Sequence, residues 1–250
     1  MSQEENFVSH LIELRNRLLR ALIAFGVVFI GLMIYPGAGI IFDVLAQPIQ
    51  NALPEGTKMI ATGVITPFMV PIKLTAMVAF VLALPVILYQ AWAFVAPGLY
   101  QHEKRMALPI VVSSTLLFLA GVAFCHFIVF GKVFTFINEF APSSITPAPD
   151  IEAYLSFVLT MFMAFGTTFE VPIVVVVLVY MGVVDVKKLE EIRGYVIVAA
   201  FVVAAVVTPP DVMSQLFLAI PVCLLYEVGI IAARLVGRKP MDIEEGTKTS

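Results

Sequence analysis

Six apolar runs, most of them close to 20 residues long, restrict the folds that this sequence can adopt. A bilayer core about 30 Å thick is crossed by about 20 helical residues. The chain is 60% hydrophobic and 13% charged, whereas a soluble domain is nearer 45–50% apolar. We therefore predict an all-α polytopic membrane protein with six transmembrane helices. The runs cover residues 18–35, 67–88, 108–130, 154–184, 195–207 and 215–235.

The basic residues predict the orientation of these helices. Twelve of the 15 lysines and arginines lie in the N-terminal segment or the start of the first run, in the second and fourth connections, and at the end of the last run or in the tail. Since cytoplasmic segments carry the excess of Lys and Arg, both termini are predicted to be cytoplasmic. The chain then divides into an amphipathic N-terminal segment over 1–17, a membrane domain over 18–235, and a tail over 236–250 that we expect to be disordered.

The runs differ in length, which predicts a curved body of bent and tilted helices. The fourth run would extend about 46 Å as a helix, and Pro172 is the expected bend. The last two helices are predicted to be short, since Glu227 interrupts the sixth run; the alternative is that they extend with snorkelling ends. In the outer connection after the first run, we expect a short amphipathic helix ending near Pro48.

Two acidic residues lie in basic segments beside the membrane-spanning runs. Glu13 precedes Arg15 and Arg17, and Glu103 precedes Lys104 and another arginine. Carboxylates at a cytoplasmic membrane surface suit a ligand with paired arginines, because guanidinium binds carboxylate bidentately. The alternatives are an ordinary i, i+4 surface pair for Glu13 and a solvated loop acid for Glu103.

Polar residues also occur within and between the later runs. Glu170 lies near the middle of the fourth run, where a carboxylate is a functional candidate by default; the alternative is a protonated acid that is hydrogen-bonded to a neighbouring helix. Asp211 opens the sixth helix and is predicted to cap it. Thr208 and Gln215 lie within one turn of it, and such a patch could hydrogen-bond to a partner helix.

Other kinds of site receive no support from the sequence. The three histidines lack metal-ligand spacing, and Cys125 and Cys223 lie within apolar runs. We find no convergent nucleophile and base, no phosphate-binding glycine loop and no nucleic-acid patch. We therefore expect no catalytic residue, metal or cofactor, and the protein is predicted not to be an enzyme.

Short motifs in a fixed order resemble the TatC family, a subunit of the bacterial twin-arginine protein translocase. The resemblance covers about residues 10–235. The matching motifs are HLIELR (10–15), AQP (46–48), PVILYQ (85–90), AFVAPGLY (93–100), HEKR (102–105), AFG (164–166), FEVP (169–172) and TPPD (208–211).

The resemblance implies a glove-like receptor for twin-arginine signal peptides of folded precursor proteins, in the bacterial cytoplasmic (inner) membrane. It implies assembly in multiple copies with TatA- and TatB-type single-span subunits, and transport driven by the proton gradient. Signal-peptide binding is then expected from Glu13, Arg15, Phe94 and Glu103. Partner binding and transport are expected from Pro48, Glu170, Thr208, Asp211 and Gln215. Ala205 offers that patch no polar group.

A different class of protein also fits part of this pattern. A proton-coupled small-molecule transporter could use Glu170 as its proton relay. Inverted repeats would favour that class, but the six runs have very different lengths and the connections do not pair up.

Overall fold

The computed structural model describes residues 3–52, 59–95, 104–140, 148–208 and 211–236. The predicted all-α architecture is confirmed. A π-helical turn over Cys125–Val129 joins α5 to α6. The helices are α1 (Gln3–Ile34), α2 (Ala38–Leu45), α3 (Gln47–Ala52), α4 (Thr66–Val95), α5 (Lys104–Phe124), α6 (Phe130–Phe140), α7 (Ile151–Phe169), α8 (Val171–Tyr180), α9 (Val186–Glu191), α10 (Arg193–Val207) and α11 (Val212–Val236).

Five helical segments of the described chain are long and apolar enough to cross a membrane, and each overlaps one predicted run. The fifth run forms α10, whose 15 residues extend only about 22 Å. This helix is short, as predicted. The count of six membrane crossings stays a prediction.

The last helix is longer than predicted. α11 has 25 residues and passes through Glu227 without a break. The Glu227 carboxylate pairs with Arg193 at the start of α10, where Nη2 donates to Oε2 at 2.9 Å and Nε lies 2.7 Å from Oε1. An acid paired in this way does not end a helix. The expectation of a short sixth helix is therefore wrong.

The fourth run breaks where its proline predicts a bend. α7 ends at Phe169 and α8 begins at Val171, with Glu170 in the turn between them. Pro172 has no N–H to continue the bonding of α7. At the other end of α8, Gly182 has φ +70°, and the N–H groups of residues 182 and 183 donate to the carbonyls of Val179 and Leu178. This glycine C-cap stops the helix before the predicted end at 184.

The core lies where α4, α5, α6, α7 and α11 meet. Phe130 is wholly buried there, and its ring lies 5.3–5.6 Å from those of Phe134, Phe157 and Phe162. α5 approaches α7 most closely at Gly121, where an added Cβ would lie 2.5 Å from the Phe165 carbonyl oxygen. The absence of a side chain thus permits this contact.

Helix α1 joins the rest of the protein along one face. Its principal packing partner among the described helices is α4, and none of its most apolar window is buried within the protein. Large side chains such as Leu18 and Val27 are about two-thirds exposed, as expected for residues that face lipid. The predicted boundary at residue 17 falls inside α1, so the amphipathic segment and the first span form one continuous helix.

The outer connections contact each other through Asp150. The segment expected to be one helix ending near Pro48 contains two, α2 and α3, and Pro48 is the second residue of α3. Ile60 pairs with Asp150 in a single bridge. The Asp150 carboxylate caps α7 by accepting from the backbone N–H groups of Glu152 and Ala153, and it also accepts from both the N–H and the hydroxyl of Thr62. These donors, the Ala153 N–H first, lower the pKa of Asp150.

Replacing Asp150 with alanine should lower the midpoint of thermal unfolding, because one change removes a helix cap and the link to Thr62. A carboxyl whose pKa is lower in the folded state stabilises the protein above its unfolded pKa, and this stabilisation is lost as the pH falls through the folded pKa. The wild type should therefore lose stability on acidification more steeply than Asp150→Ala. Thermal unfolding in detergent, measured across the pH range in which the Asp150 carboxyl becomes protonated, tests the difference between the two proteins. Asp43→Ala, at an exposed acid on α2, is the control, and equal pH profiles for all three proteins would contradict the prediction.

Candidate functional site

The predicted cytoplasmic ends of α1 and α4 bring two of the predicted site residues together. The Phe94 ring, near the end of α4, stacks on the His10 ring of α1, with centroids 4.4 Å apart and planes 18° from parallel. Glu13 lies one turn along α1 from His10, and its Oε2 is 4.0 Å from His10 Nδ1. An aromatic surface therefore lies beside a carboxylate.

The Glu13 carboxylate is held by Arg17 on the same helix. Arg17 Nε donates to Glu13 Oε1 at 2.9 Å, and Nη2 donates to the same oxygen. The i, i+4 pair expected from the sequence is therefore present. Among the described residues, Oε2 has no ionic partner apart from the His10 ring. One oxygen is thus fixed by Arg17, and the other is available to a further donor.

Arg15, another predicted peptide-binding residue, is not part of this cluster. Arg15 is exposed on α1, and its guanidinium donates to the neighbouring Asn16 at 3.1 Å. The spacing of α1 places Arg17, two residues further on, on the face of Glu13. Glu103 lies outside the described residues.

Glu170 occupies the turn between α7 and α8. Both of its carboxylate oxygens are buried and make no close hydrogen bond with a described residue, although the Ser114 side chain of α5 lies near enough to interact with them. Thr167, three residues earlier, donates its hydroxyl to the Met163 carbonyl at 2.7 Å, because a threonine hydroxyl in a helix bonds readily to the preceding turn.

Beside the turn between α10 and α11, the side chains of Asp211, Thr208 and Gln215 each form a hydrogen bond with a residue outside the predicted patch. Asp211 Oδ1 accepts from the Ser214 N–H at 2.7 Å, which confirms the predicted cap of α11. Thr208 donates its hydroxyl to the Ala204 carbonyl at 2.8 Å. Gln215 Nε2 donates to the Phe201 carbonyl of α10 at 3.3 Å and so links the two helices.

An apolar cavity of about 560 Å³ extends from α5 and α7 along α11. It contains Phe169, the residue before Glu170, and Met213, two residues after Asp211. Glu170 and Asp211 are close in sequence to these two residues but are not themselves among the residues that line the cavity. Pro48, the remaining residue assigned to partner binding, is in α3, away from these helices in sequence.

Several residues in these regions were not singled out by the sequence. His10 and Gln90 are the main ones at the α1–α4 junction. Deeper in the protein, Trp92 Nε1 donates to the wholly buried hydroxyl of Ser114 on α5 at 2.9 Å. These contacts join helices that are distant in sequence, so local sequence patterns could not indicate them. The one available signal was the i, i+3 spacing of His10 and Glu13, which places these two side chains close together on α1.

Known proteins resemble the chain over nearly its whole length. The family model described as Sec-independent protein translocase protein (TatC) matches residues 9–221. The Haemophilus influenzae TatC protein is 48% identical over 250 residues, covering 100% of this chain and 96% of the relative. The Escherichia coli K12 TatC protein is 48% identical over 247 residues, covering 98% and 95%.

A solved structure shares the fold. The crystal structure of a twin-arginine translocase receptor, TatC, superposes with a TM-score of 0.79 at 42% identity, and the match covers 92% of this chain and 100% of that one. These relatives are translocase components, so the protein is a transport subunit and not an enzyme. The resemblance found in the motifs is confirmed: the chain is a multi-pass membrane protein that belongs to the TatC family of Sec-independent protein translocase proteins.

Proposed function

We propose that this chain is the receptor subunit of a twin-arginine translocase and binds the paired arginines of signal peptides on folded precursor proteins. The observation that carries the proposal is the Glu13 carboxylate beside the stacked rings of His10 and Phe94. One guanidinium would take the Oε2 side of Glu13, and its flat face would pack on an outer face of the ring stack. In this proposal Glu103 supplies the second carboxylate, and Arg15 supports the site from the adjoining face of α1.

Orientation and partners belong to the same proposal. Both termini lie in the cytoplasm, the membrane is the bacterial inner membrane, and the proton gradient drives export. TatA- and TatB-type single-span subunits bind at Glu170 and at the patch of Thr208, Asp211 and Gln215. The apolar cavity of about 560 Å³ supports this assignment, because its lining includes Phe169 and Met213, close in sequence to Glu170 and Asp211, and side chains of a transmembrane helix could pack into it.

Binding of a synthetic signal peptide to the purified protein in detergent tests the cationic site. Changing Arg-Arg to Lys-Lys should weaken binding about 10-fold, because lysine keeps the charge but loses the bidentate geometry. Glu13→Ala should weaken Arg-Arg binding about 10- to 100-fold, as expected for lost hydrogen bonds to charged groups. A photo-crosslinker at Phe94 should label the Arg-Arg peptide more strongly than the Lys-Lys peptide.

The matched control is Glu191→Ala. Glu191 forms a helical ion pair with Lys188 at 3.3 Å, similar in kind to the pair of Glu13 and Arg17 but on α9. Its loss should leave peptide affinity unchanged. Equal affinity for Arg-Arg and Lys-Lys peptides, with no effect of Glu13→Ala, would show that these acids are ordinary surface charge.

A further inference from the structure

A groove between α1 and α4 leads away from the cationic site. Its volume is about 260 Å³, and it begins at Arg17 and Phe94, which also belong to the site. Its remaining walls are almost entirely apolar and include Leu14, Leu18, Ala21 and Ile87. This volume is somewhat below the roughly 300–1,000 Å³ of a typical small-molecule pocket, and it suits one or two apolar side chains of a peptide.

Gln90 is the polar exception in this groove. The residue is 8% exposed, and its Oε1 is buried without a hydrogen-bond partner among the described residues. A buried carbonyl oxygen left unpaired costs free energy, and neither the neighbouring aliphatic side chains nor a lipid tail can donate to it. An acceptor so placed, in an apolar groove, fits a ligand that is apolar in its side chains and carries an N–H donor.

We propose that the groove holds the first apolar residues that follow the arginine pair of the peptide, and that Gln90 Oε1 accepts one of their backbone N–H groups. This inference rests on the proposed peptide-binding function. The groove is continuous with the cationic site, so a chain whose arginine contacts Glu13 reaches the groove within a few residues. The N–H groups there lack internal partners, whether the segment is extended or forms the first turn of a helix. Gln90 is then a specificity-determining residue that recognises the backbone.

A double-mutant cycle with N-methylated peptides tests this contact. Signal peptides carrying Arg-Arg and an apolar stretch are N-methylated at one backbone position at a time after the arginines. Their affinities are measured for the wild type and for Gln90→Met, which keeps the side-chain length but removes the acceptor. At one position, methylation should weaken binding to the wild type about 3- to 10-fold and have no further effect on Gln90→Met.

Two more variants separate hydrogen bonding from packing. Gln90→Glu keeps an acceptor and should retain the sensitivity to methylation at that position. Gln50→Met makes the same change at an exposed glutamine of α3 and should behave as the wild type. If Gln90→Met does not fold, the measurements on the wild type still test the proposal. The proposal would be overturned if every N-methylated peptide bound the wild type as tightly as the unmethylated peptide does.

The outcomes distinguish this inference from the proposed function. If Lys-Lys peptides bind weakly but no methylated position depends on Gln90, the cationic site stands and the groove does not bind the peptide backbone. If Arg-Arg and Lys-Lys peptides bind equally, the proposed function itself is wrong. Unchanged peptide affinity in Gln90→Met would also overturn the inference and would indicate that the groove is occupied by lipid.

Discussion

Replacing Gly121 with alanine is expected to destabilise the protein by about 1–3 kcal/mol, the usual range for overpacking. The new Cβ would lie 2.5 Å from the Phe165 carbonyl oxygen and 3.0 Å from its carbonyl carbon. These are backbone atoms of α7, so no side-chain rotation can relieve the overlap and the two helices must separate. Phe165 is wholly buried, and the separation would disturb the core around it. The midpoint of thermal unfolding in detergent should fall accordingly.

Gly131→Ala is the matched control. Gly131 lies in α6, where an added Cβ meets nothing within 4 Å. Alanine is favoured over glycine in a helix by up to about 1 kcal/mol, so this variant should be as stable as the wild type or more stable. If the two variants unfold at the same temperature, the close approach of α5 and α7 is not as described here.

Replacing Glu170 with leucine is expected to weaken association with single-span partner subunits about 3- to 30-fold. A hydrogen bond between membrane helices contributes roughly 0.6–2 kcal/mol, and the Glu170 oxygens, which make no close hydrogen bond and have only the Ser114 side chain nearby among the described residues, can accept one from a partner. Glu170→Gln should retain most of the association, because an amide still forms hydrogen bonds. Co-purification of the partner subunits and export of a precursor protein measure the effect.

Thr167→Val is the local control for this series. The Thr167 hydroxyl bonds to Met163 within its own helix, so its removal should change partner association little. Loss of activity in Glu170→Gln as severe as in Glu170→Leu would show that ionisation of the carboxyl is needed.

Local features of the chain were predictable from the sequence because they depend on nearby residues. The pair of Glu13 and Arg17 follows from helical spacing, and the cap at Asp211 follows from its place before an apolar run. The break in the fourth run follows from the missing N–H of Pro172. Each of these features is determined within about one or two helical turns.

Contacts between distant segments were not predictable in the same way. Phe94 stacks on a histidine at position 10, and no periodicity relates two helices separated by more than 80 residues. The continuity of α11 depends on Arg193, which lies 34 residues before Glu227. The lack of a close hydrogen-bond partner for Gln90 Oε1 among the described residues can be recognised only when the positions of the surrounding residues are known. Features of this kind depend on tertiary contacts, so local sequence patterns could not predict them.

The single-sided attachment of α1 has a consequence for how a ligand acts on this protein. The binding groove lies in the seam between α1 and α4, and this seam is the principal contact that keeps α1 in place among the described helices. A peptide in the seam therefore adds to the free energy that holds the helix, and by linkage any change that loosens the helix reduces affinity for the peptide. Receptor occupancy should thus be measurable as the mechanical stability of one helix, without a probe on the peptide itself.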